Sequence, residues 1–399
     1  MENISKYTKE ELMKFKRMTL QEKMEVAEIR ILEFFHKLDG KVYISFSGGK
    51  DSTVLLHLVR SILPNIQGVF ADTGLEFPEI REFVKKFDNI VWVKPEKNFR
   101  DVIKENGYPL ISKDVASSVV GAKRNPNSLR ARKMNGSMKG KSKFDQSKYE
   151  YLLEAPFELN DKCCSIFKKQ PFKKYEKETD MLGSYIGIRV EESMLREKNW
   201  VRYGCNVFRD GYNRSMPLSV WVSKDIDEYI KRFDLKIAKP YEMGYERTGC
   251  VFCAFGAHLE SYPNRFQMLQ KTHPKLHEYL LRDFDKGGLG MKIPLEFIGV
   301  SYTDDQMNMY DLIKELDEEK NKDKDPRTDM METKDVEKEL PSNFQLAKVV
   351  AVPVYPEGYT FTYKVGDVIA YKYGACLSLD LEKDTYIIDA YQVVALLNG

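Results

Sequence analysis

The feature that most constrains this chain is a junction near its start. The β-rich run Val42-Tyr43-Ile44-Ser45-Phe46 passes through Ser47-Gly48-Gly49-Lys50-Asp51-Ser52 into a stretch with Val54, Leu55, Leu58 and Ile62 at helical spacing. A strand, a glycine loop and a helix in that order open a parallel α/β sheet. Adjacent glycines let the backbone approach an anion with no Cβ in the way. The helix that follows presents unpaired N–H groups and the positive end of its dipole. Lys50 adds a mobile charge, and Ser47 and Ser52 add hydroxyls, so the loop suits pyrophosphate. The alternative is a tight turn with incidental serines. The spacing fits neither Gly-x-x-x-x-Gly-Lys-Ser/Thr nor Gly-x-Gly-x-x-Gly.

The alternation continues downstream. Residues 66–71 read as a second strand, and Pro78 opens a helix to about Phe87. A strand over 90–93 and a helix over 99–105 follow. Apolar spacing over 8–38 predicts two short helices before the junction. The pattern resumes at Tyr185-Ile186-Gly187-Ile188 and again near Met216 to Trp221. Helices are expected over 225–233 and within 262–285. Together these predict a doubly wound parallel sheet, with ligands at the carboxyl ends of its strands. Both the glycine loop and Asp72-Thr73-Gly74 fall at such ends.

Residues 121–148 break the rhythm. Lys123, Arg124, Arg130, Arg132, Lys133, Lys139, Lys141, Lys143 and Lys148 face only one acid, Asp145, among Gly, Ser and Asn. This reads as a flexible basic insertion. With Tyr149 and Tyr151 beyond it for stacking, it is a candidate arm for a nucleic-acid acceptor, weighed against a mobile solvated loop. The expected organisation is N-terminal helices over 1–38, an α/β domain over 39–310, a charged helix or linker over 311–341, and a small β-rich domain over 342–399. The β-rich runs of the tail are 349–355, 359–363, 368–373 and 386–388. At 399 residues, several domains are the ordinary expectation.

A net charge of +2 names no partner by itself. Met1 to Arg17 is charged and lacks an apolar leader core, and no run approaches the ~20 residues of a membrane helix. The expectation is a cytoplasmic protein without a membrane span. There its six cysteines would stay reduced, so paired spacing points to metal or redox chemistry rather than to disulfides.

Ser-Gly-Gly-Lys-Asp-Ser resembles the PP-loop of ATP pyrophosphatases. Ala71-Asp72-Thr73-Gly74 with Phe77-Pro78-Glu79 resembles the second-strand motif of the phosphoadenylyl-sulfate (PAPS) and adenylyl-sulfate (APS) reductase-like branch. Gly187-Ile188-Arg189-x-x-Glu192-Ser193 and the block from Met216-Pro217-Leu218 through Trp221 to Asp225-Ile226 resemble later motifs of that branch. The resemblance covers roughly residues 38–300 and implies a Rossmann-like fold of the adenine nucleotide alpha-hydrolase type. It also implies a nucleotide pocket at the sheet edge. Ser47, Gly48, Gly49, Lys50, Asp51 and Ser52 would hold phosphates, Asp72, Thr73 and Gly74 would lie by the nucleoside, and Arg189 would pair with an anion through its fork.

Cys163-Cys164 and Cys250-Val251-Phe252-Cys253 form the second constellation. A lone CxxC is a metal element, a redox pair or chance; a second pair raises the case for a four-thiolate site. Adjacent cysteines are unusual on one zinc, whereas a 4Fe–4S cluster offers each sulfur its own iron. The set is similar to Cys-Cys … Cys-x-x-Cys of iron–sulfur APS reductases, here with Lys168-Lys169 after the pair and Gly244-Tyr245-Glu246-Arg247-Thr248-Gly249 before the knuckle. The resemblance implies a cluster, with zinc as the alternative. Cys205, His258, His273 and His277 read as ordinary structural residues.

Two activities are consistent with the family resemblance. A sulfonucleotide reductase acting on APS or PAPS needs a tail cysteine in a Glu-Cys-Gly-x-His-like setting. Cys376, in Gly374-Ala375-Cys376-Leu377, lacks those flanks. The retained Lys50 and Asp51 instead suit ATP with Mg²⁺, Asp51 holding the metal and Lys50 stabilising the departing pyrophosphate. That chemistry adenylylates an acceptor, after which a sulfur donor, such as a donor protein, displaces AMP. A nucleotide-binding module without catalysis is the third reading, and family resemblance allows a homodimer.

Overall fold

A computed structural model describes residues 5–138, 144–209 and 211–304, and the backbone of three strands within 344–396. Helices α1 (Lys9–Arg17) and α2 (Leu20–Lys37) each begin at a threonine whose hydroxyl accepts a first-turn N–H: Thr8 from Glu11, Thr19 from Glu22. In both, the same glutamate returns a bond to the threonine N–H, a reciprocal cap. Leu12, Ile31 and Phe34 from these helices belong to the same buried cluster as Val42, Ile44 and Val54.

The sheet begins with β1 (Val42–Ser45), which runs through the loop into α3 (Lys50–Ile62). Val54, Leu55, Leu58 and Val59 bury the inner face of α3. Then come β2 (Gly68–Ala71), α4 (Pro78–Val84), β3 (Ile90–Val93) and α5 (Phe99–Asn106). A short β4 (Leu110–Ile111) precedes α6 (Lys113–Arg124), α7 (Leu129–Met134) and α8 (Gln170–Thr179). Next are β5 (Gly183–Ile186), α9 (Met194–Tyr203), β6 (Asn206–Val207), β7 (Asn213–Ser215) and α10 (Ser223–Arg232). β8 (Ala254–Phe255), α11 (Arg265–Thr272), α12 (Pro274–Leu281) and α13 (Lys292–Phe297) complete this part of the chain.

The main sheet has the order β3-β2-β1-β5-β7-β6. Every pairing is parallel except β6 with β7. The order runs outward from β1 in both directions, first to β2 and then to β5, so β1 is where the winding reverses. A ligand crevice forms at such a point, beyond the strand ends. The parallel α/β class is therefore the fold of this chain. β4 pairs with β8 in a separate two-stranded ladder, which ties residues 110–111 to the segment just after the Cys-x-x-Cys knuckle.

Two local expectations need correction. Met216 to Trp221 is a succession of turns after β7, not a strand. Its apolar residues Leu218, Val220 and Trp221 are buried as loop side chains, so their density mimics a strand. The basic stretch is also more ordered than its charges suggest. α6 and α7 pack on each other, burying Val115, Val119, Ala122, Ala131 and Met134, while Lys133 and Lys123 pair with Asp114 and Glu158. Residues 139–143 lie outside the described residues, as does the charged stretch 311–341.

In the tail, β9 (Phe344–Lys348), β10 (Val368–Lys372) and β11 (Val393–Leu396) form an antiparallel sheet in the order β11-β10-β9. Of the expected tail runs, 368–373 overlaps β10, and the other three lie outside the described residues.

Candidate active site at the end of strand β1

The loop after β1 closes on its own hydroxyls. Ser52 Oγ donates to the Gly49 carbonyl at 2.9 Å and accepts the Ser47 N–H at 3.2 Å. Ser47 Oγ lies 2.9 Å from Ser52 Oγ. Gly48 takes φ +73°, in the left-handed region, and a Cβ there would lie 2.9 Å from Ile80 Cγ2 and 3.0 Å from Val84 Cγ2. Gly49 caps α3 with no side-chain bond, so the first-turn N–H groups of the helix face the loop.

Residues far along the chain pack behind the loop. Tyr241, from a single helical turn at Lys239–Tyr241, accepts the Lys50 N–H on its hydroxyl at 2.9 Å. That hydroxyl is 3.1 Å from Thr248 Oγ1. A Cβ on Gly49 would sit 3.1 Å from Thr248 Oγ1 and 3.2 Å from the Tyr241 hydroxyl, so a side chain there would push this wall back by a few tenths of an ångström. Lys50 Nζ reaches Asp227 Oδ1 on α10 at 2.9 Å. α10 is itself fixed by a buried pair: Lys23 Nζ on α2 donates to Asp225 Oδ2 at 2.6 Å. The same oxygen accepts the Val222 N–H at the start of α10. Tyr241 and Asp227 carried no signal of a role in the sequence, and Thr248 stood only within the run before the knuckle, because each meets the loop only through the fold.

Asp51, in the first turn of α3, accepts from Arg189 Nε at 3.1 Å. Arg189 follows β5; its Nη1 also bonds Glu191 and reaches Ser223 Oγ at 3.2 Å. Burial pushes the Asp51 carboxyl above its ordinary value, and the pull of Arg189 does not fully offset this. Burial works against the guanidinium too, but Asp51 and Glu191 outweigh it and raise its pKa. A carboxylate, an ammonium and a guanidinium thus converge on one helix end.

At the end of β2, Asp72 is 5% exposed. One of its oxygens accepts from Arg81 Nη2 at 2.9 Å; the other, Oδ1, is buried with no hydrogen-bond partner. Thr73 turns into Gly74, and Glu76 ties the turn together by accepting from the Thr73 hydroxyl at 2.6 Å and the Thr73 N–H at 3.1 Å.

The four cysteines come together beside this turn. Val251, inside the knuckle, donates its N–H to the Leu75 carbonyl at 2.7 Å. Cys163 and Cys164 sit where the chain enters a π-helical turn, Ser165–Lys169, that leads into α8. Cys163, Cys164, Cys250 and Cys253 are all free thiols. Burial raises Cys163, and neighbouring Cys250, Cys164 and Cys253 raise it further. Burial also pushes Cys250 up to about 11, although Lys168 pulls the other way. Lys168 is raised in turn, chiefly by Cys250. The donor set is therefore four thiols around one cation, as suits a thiophilic centre. Among the described residues, no three His, Cys, Asp or Glu side chains stand ready to hold an ion as they are placed. The sulfurs would have to draw inward around one.

Of the residues read as structural, Cys205, His273 and His277 have ordinary partners. Cys205 is buried against Ser219 Oγ at 3.2 Å. His277 Nε2 bonds the Tyr302 carbonyl at 2.6 Å, and His273 lies between Thr272 and Glu79. His258 meets the Tyr149 hydroxyl at 3.2 Å through Nε2, while its Nδ1 is buried without a partner. Cys376 lies outside the described residues. A groove of about 560 Å³ opens on the far flank of α3, lined by Leu56, His57, Phe83, Phe87 and Leu235. It includes none of the loop's polar groups, so concavity and chemistry separate here.

A mainly parallel, doubly wound α/β sheet with a glycine loop at its reversal point defines the class of the fold. The chain belongs, more particularly, to the phosphoadenosine phosphosulfate reductase domain family, whose model matches residues 41–112 and 122–255. An uncharacterised protein of Methanocaldococcus jannaschii is 26% identical over 264 residues, covering 64% of this chain and 51% of that protein. A second protein of that organism is 28% identical, covering 64% of this chain and 45% of its own length. The chain thus spans about half the length of these relatives. The phosphoadenosine 5'-phosphosulfate reductase of Salmonella schwarzengrund is 24% identical over 56% of this chain and 74% of its own. Among solved structures, the PAPS reductase of Candida auris overlays with TM-score 0.34 at 15% identity, covering 61% of this chain and 95% of that one. The U34-tRNA thiolase of Methanococcus maripaludis with its [4Fe-4S] cluster overlays with TM-score 0.30 at 13% identity, covering 68% and 83%. No described helix is long and apolar enough to cross a membrane.

Proposed function

We propose that this chain is an ATP pyrophosphatase that adenylylates an acceptor for sulfur transfer. The observation that carries the reading is the complete loop: Lys50 and Asp51 at the start of α3, with Arg189 bonded to Asp51. An acceptor oxygen attacks the α-phosphorus of ATP, and the bond from that phosphorus to the bridging oxygen breaks. Pyrophosphate leaves with the electron pair. A hydroxyl acceptor gives up its proton; a carbonyl acceptor has none to lose. Sulfur at the sulfide level then displaces AMP from the activated carbon.

In this reading the first-turn N–H groups of α3 and the Ser47 and Ser52 hydroxyls bind the phosphates. Lys50 leaves Asp227 to neutralise charge on the departing pyrophosphate. Asp51 is the residue that would hold Mg²⁺, sharing its carboxylate with Arg189. Asp72, Thr73 and Gly74 border the nucleoside, with the unpaired Asp72 Oδ1 available to a donor on it.

Cys163, Cys164, Cys250 and Cys253 would hold a 4Fe–4S cluster, which supplies thiophilic, redox-active iron when bound. Zinc is the competing occupant. Anaerobic reconstitution with iron and sulfide, with an iron count and absorbance near ~400 nm, separates the two. A preparation that takes up zinc alone contradicts the cluster.

The acceptor in this reading is a nucleic acid, met by the cations of 121–148. Lys148 lies 4.8 Å from the Tyr149 ring centre, and Tyr151 is exposed nearby, so charge and stacking surface adjoin. Binding should weaken steeply with salt, log affinity against log salt giving a slope of several units. Absence of binding at low salt removes this acceptor. The family's reductase chemistry is the second reading, favoured by the Salmonella relative, and sulfite release from APS or PAPS is its assay.

A further inference from the structure

The phosphate loop and the cysteine knuckle are connected through named atoms. On one side, the Tyr241 hydroxyl takes the Lys50 N–H at 2.9 Å and touches Thr248 Oγ1 at 3.1 Å. Thr248 precedes Cys250 by two residues. On the other side, the Val251 N–H holds the Leu75 carbonyl at 2.7 Å, and the Leu75 N–H donates to Thr73 Oγ1 at 3.2 Å. The knuckle therefore hangs between the loop after β1 and the turn after β2.

We propose that Tyr241 and Thr248 are positioning residues that tie occupancy of the phosphate loop to the conformation of the Cys250–Cys253 knuckle. The inference rests on the reading of the loop as a nucleotide-phosphate cradle. A phosphate oxygen carries negative charge and accepts a hydrogen bond better than a phenol oxygen does. A nucleotide in the cradle takes the Lys50 N–H from Tyr241, and the freed hydroxyl turns to Thr248 alone. The 3.1 Å contact between the two hydroxyls makes a shift of one felt by the other. Thr248 passes that shift to Cys250 along two peptide units. By linkage, whatever binds the cysteines alters nucleotide affinity by the same factor.

The test is amide hydrogen exchange of the full chain over residues 249–255, with and without ATP and Mg²⁺, beside calorimetric ATP binding. In the native sequence, nucleotide should change exchange there by about fivefold or more, the lower end of ordinary coupling. Tyr241→Phe should still bind ATP but respond less than about twofold at 249–255. Thr248→Ala should behave alike, and Thr248→Ser, which keeps the hydroxyl, should restore the response. The rescue keeps the test decisive if Thr248→Ala disturbs folding. A native-sized response in Tyr241→Phe overturns the proposal. So does complete loss of ATP binding in that variant, which would make the hydroxyl a nucleotide ligand. If the native chain binds ATP and 249–255 does not respond, only this proposal fails. If the native chain binds no ATP, the reading of the loop fails and takes the proposal with it.

Discussion

Arg189 Nε donates to Asp51 Oδ2 at 3.1 Å, joining the segment after β5 to the first turn of α3. In the proposed function, Asp51 would hold Mg²⁺ and Arg189 would meet a phosphate. Asp51→Asn keeps the shape and removes the charge. Pyrophosphate release from ATP should then fall by about 100-fold, while the unfolding midpoint moves little. Arg189→Lys should also be deficient, since an ammonium cannot serve Asp51, Glu191 and a phosphate in one plane. Steady-state rates for both, with circular dichroism to confirm folding, check this.

The same pair sets a pH dependence. Burial raises the Asp51 pKa above its ordinary 3.8, so the carboxyl in the fold keeps its proton to a higher pH than in the unfolded chain. Metal binding needs the ionised form. The rate should therefore fall as pH drops through this raised value, at a higher pH than an ordinary aspartate would give. A rate–pH profile measures it, and Asp51→Glu, a longer carboxylate, should shift the acid limb.

Gly48 is the loop position most strained by a side chain. At φ +73°, and with an added Cβ only 2.9 and 3.0 Å from the Ile80 and Val84 methyls, Gly48→Ala should cost about 1–3 kcal/mol. The loss should appear in urea unfolding and in ATP affinity together, because the strain sits on the cradle itself.

The Lys23 side chain is 1% exposed and that of its partner Asp225 is 10% exposed. Lys23→Met leaves a buried carboxylate without its cation, which should destabilise the fold by about 3–5 kcal/mol. Replacing both residues with apolar ones should recover much of that. Since Asp225 anchors the helix carrying Asp227, the single variant should also weaken ATP binding. Denaturant melts of the single and double variants give the comparison.

Much of the frame was legible because its signals are local. The strand at Val42–Ser45, the glycines after it and the apolar stripe of α3 lie within about twenty residues, and each follows from spacing alone. β2, β3 and α5 repeat that logic. Met216–Trp221 misled because burial, not strand geometry, explains its apolar residues. The helices of the basic stretch were hidden because its few buried apolar residues, Ala122, Ala131 and Met134, stand among the exposed cations Lys123, Arg124, Arg130 and Arg132. Tyr241 could not be found from sequence: its partner Lys50 is 191 residues away, and nothing in Lys239-Pro240-Tyr241 marks an anion site. The cysteines were visible as a set, but their place beside the Asp72 turn depends on the Val251–Leu75 bond, which only the fold reveals.

The central claim is that the loop handles the pyrophosphate of ATP. The direct measurement incubates the full chain with ATP and Mg²⁺, with and without a nucleic-acid acceptor, and follows AMP and pyrophosphate. Parallel reactions supply APS or PAPS with a thiol reductant and follow sulfite. The account predicts pyrophosphate from ATP, lost in Asp51→Asn, and no sulfite. Sulfite release in the absence of any pyrophosphate would contradict it.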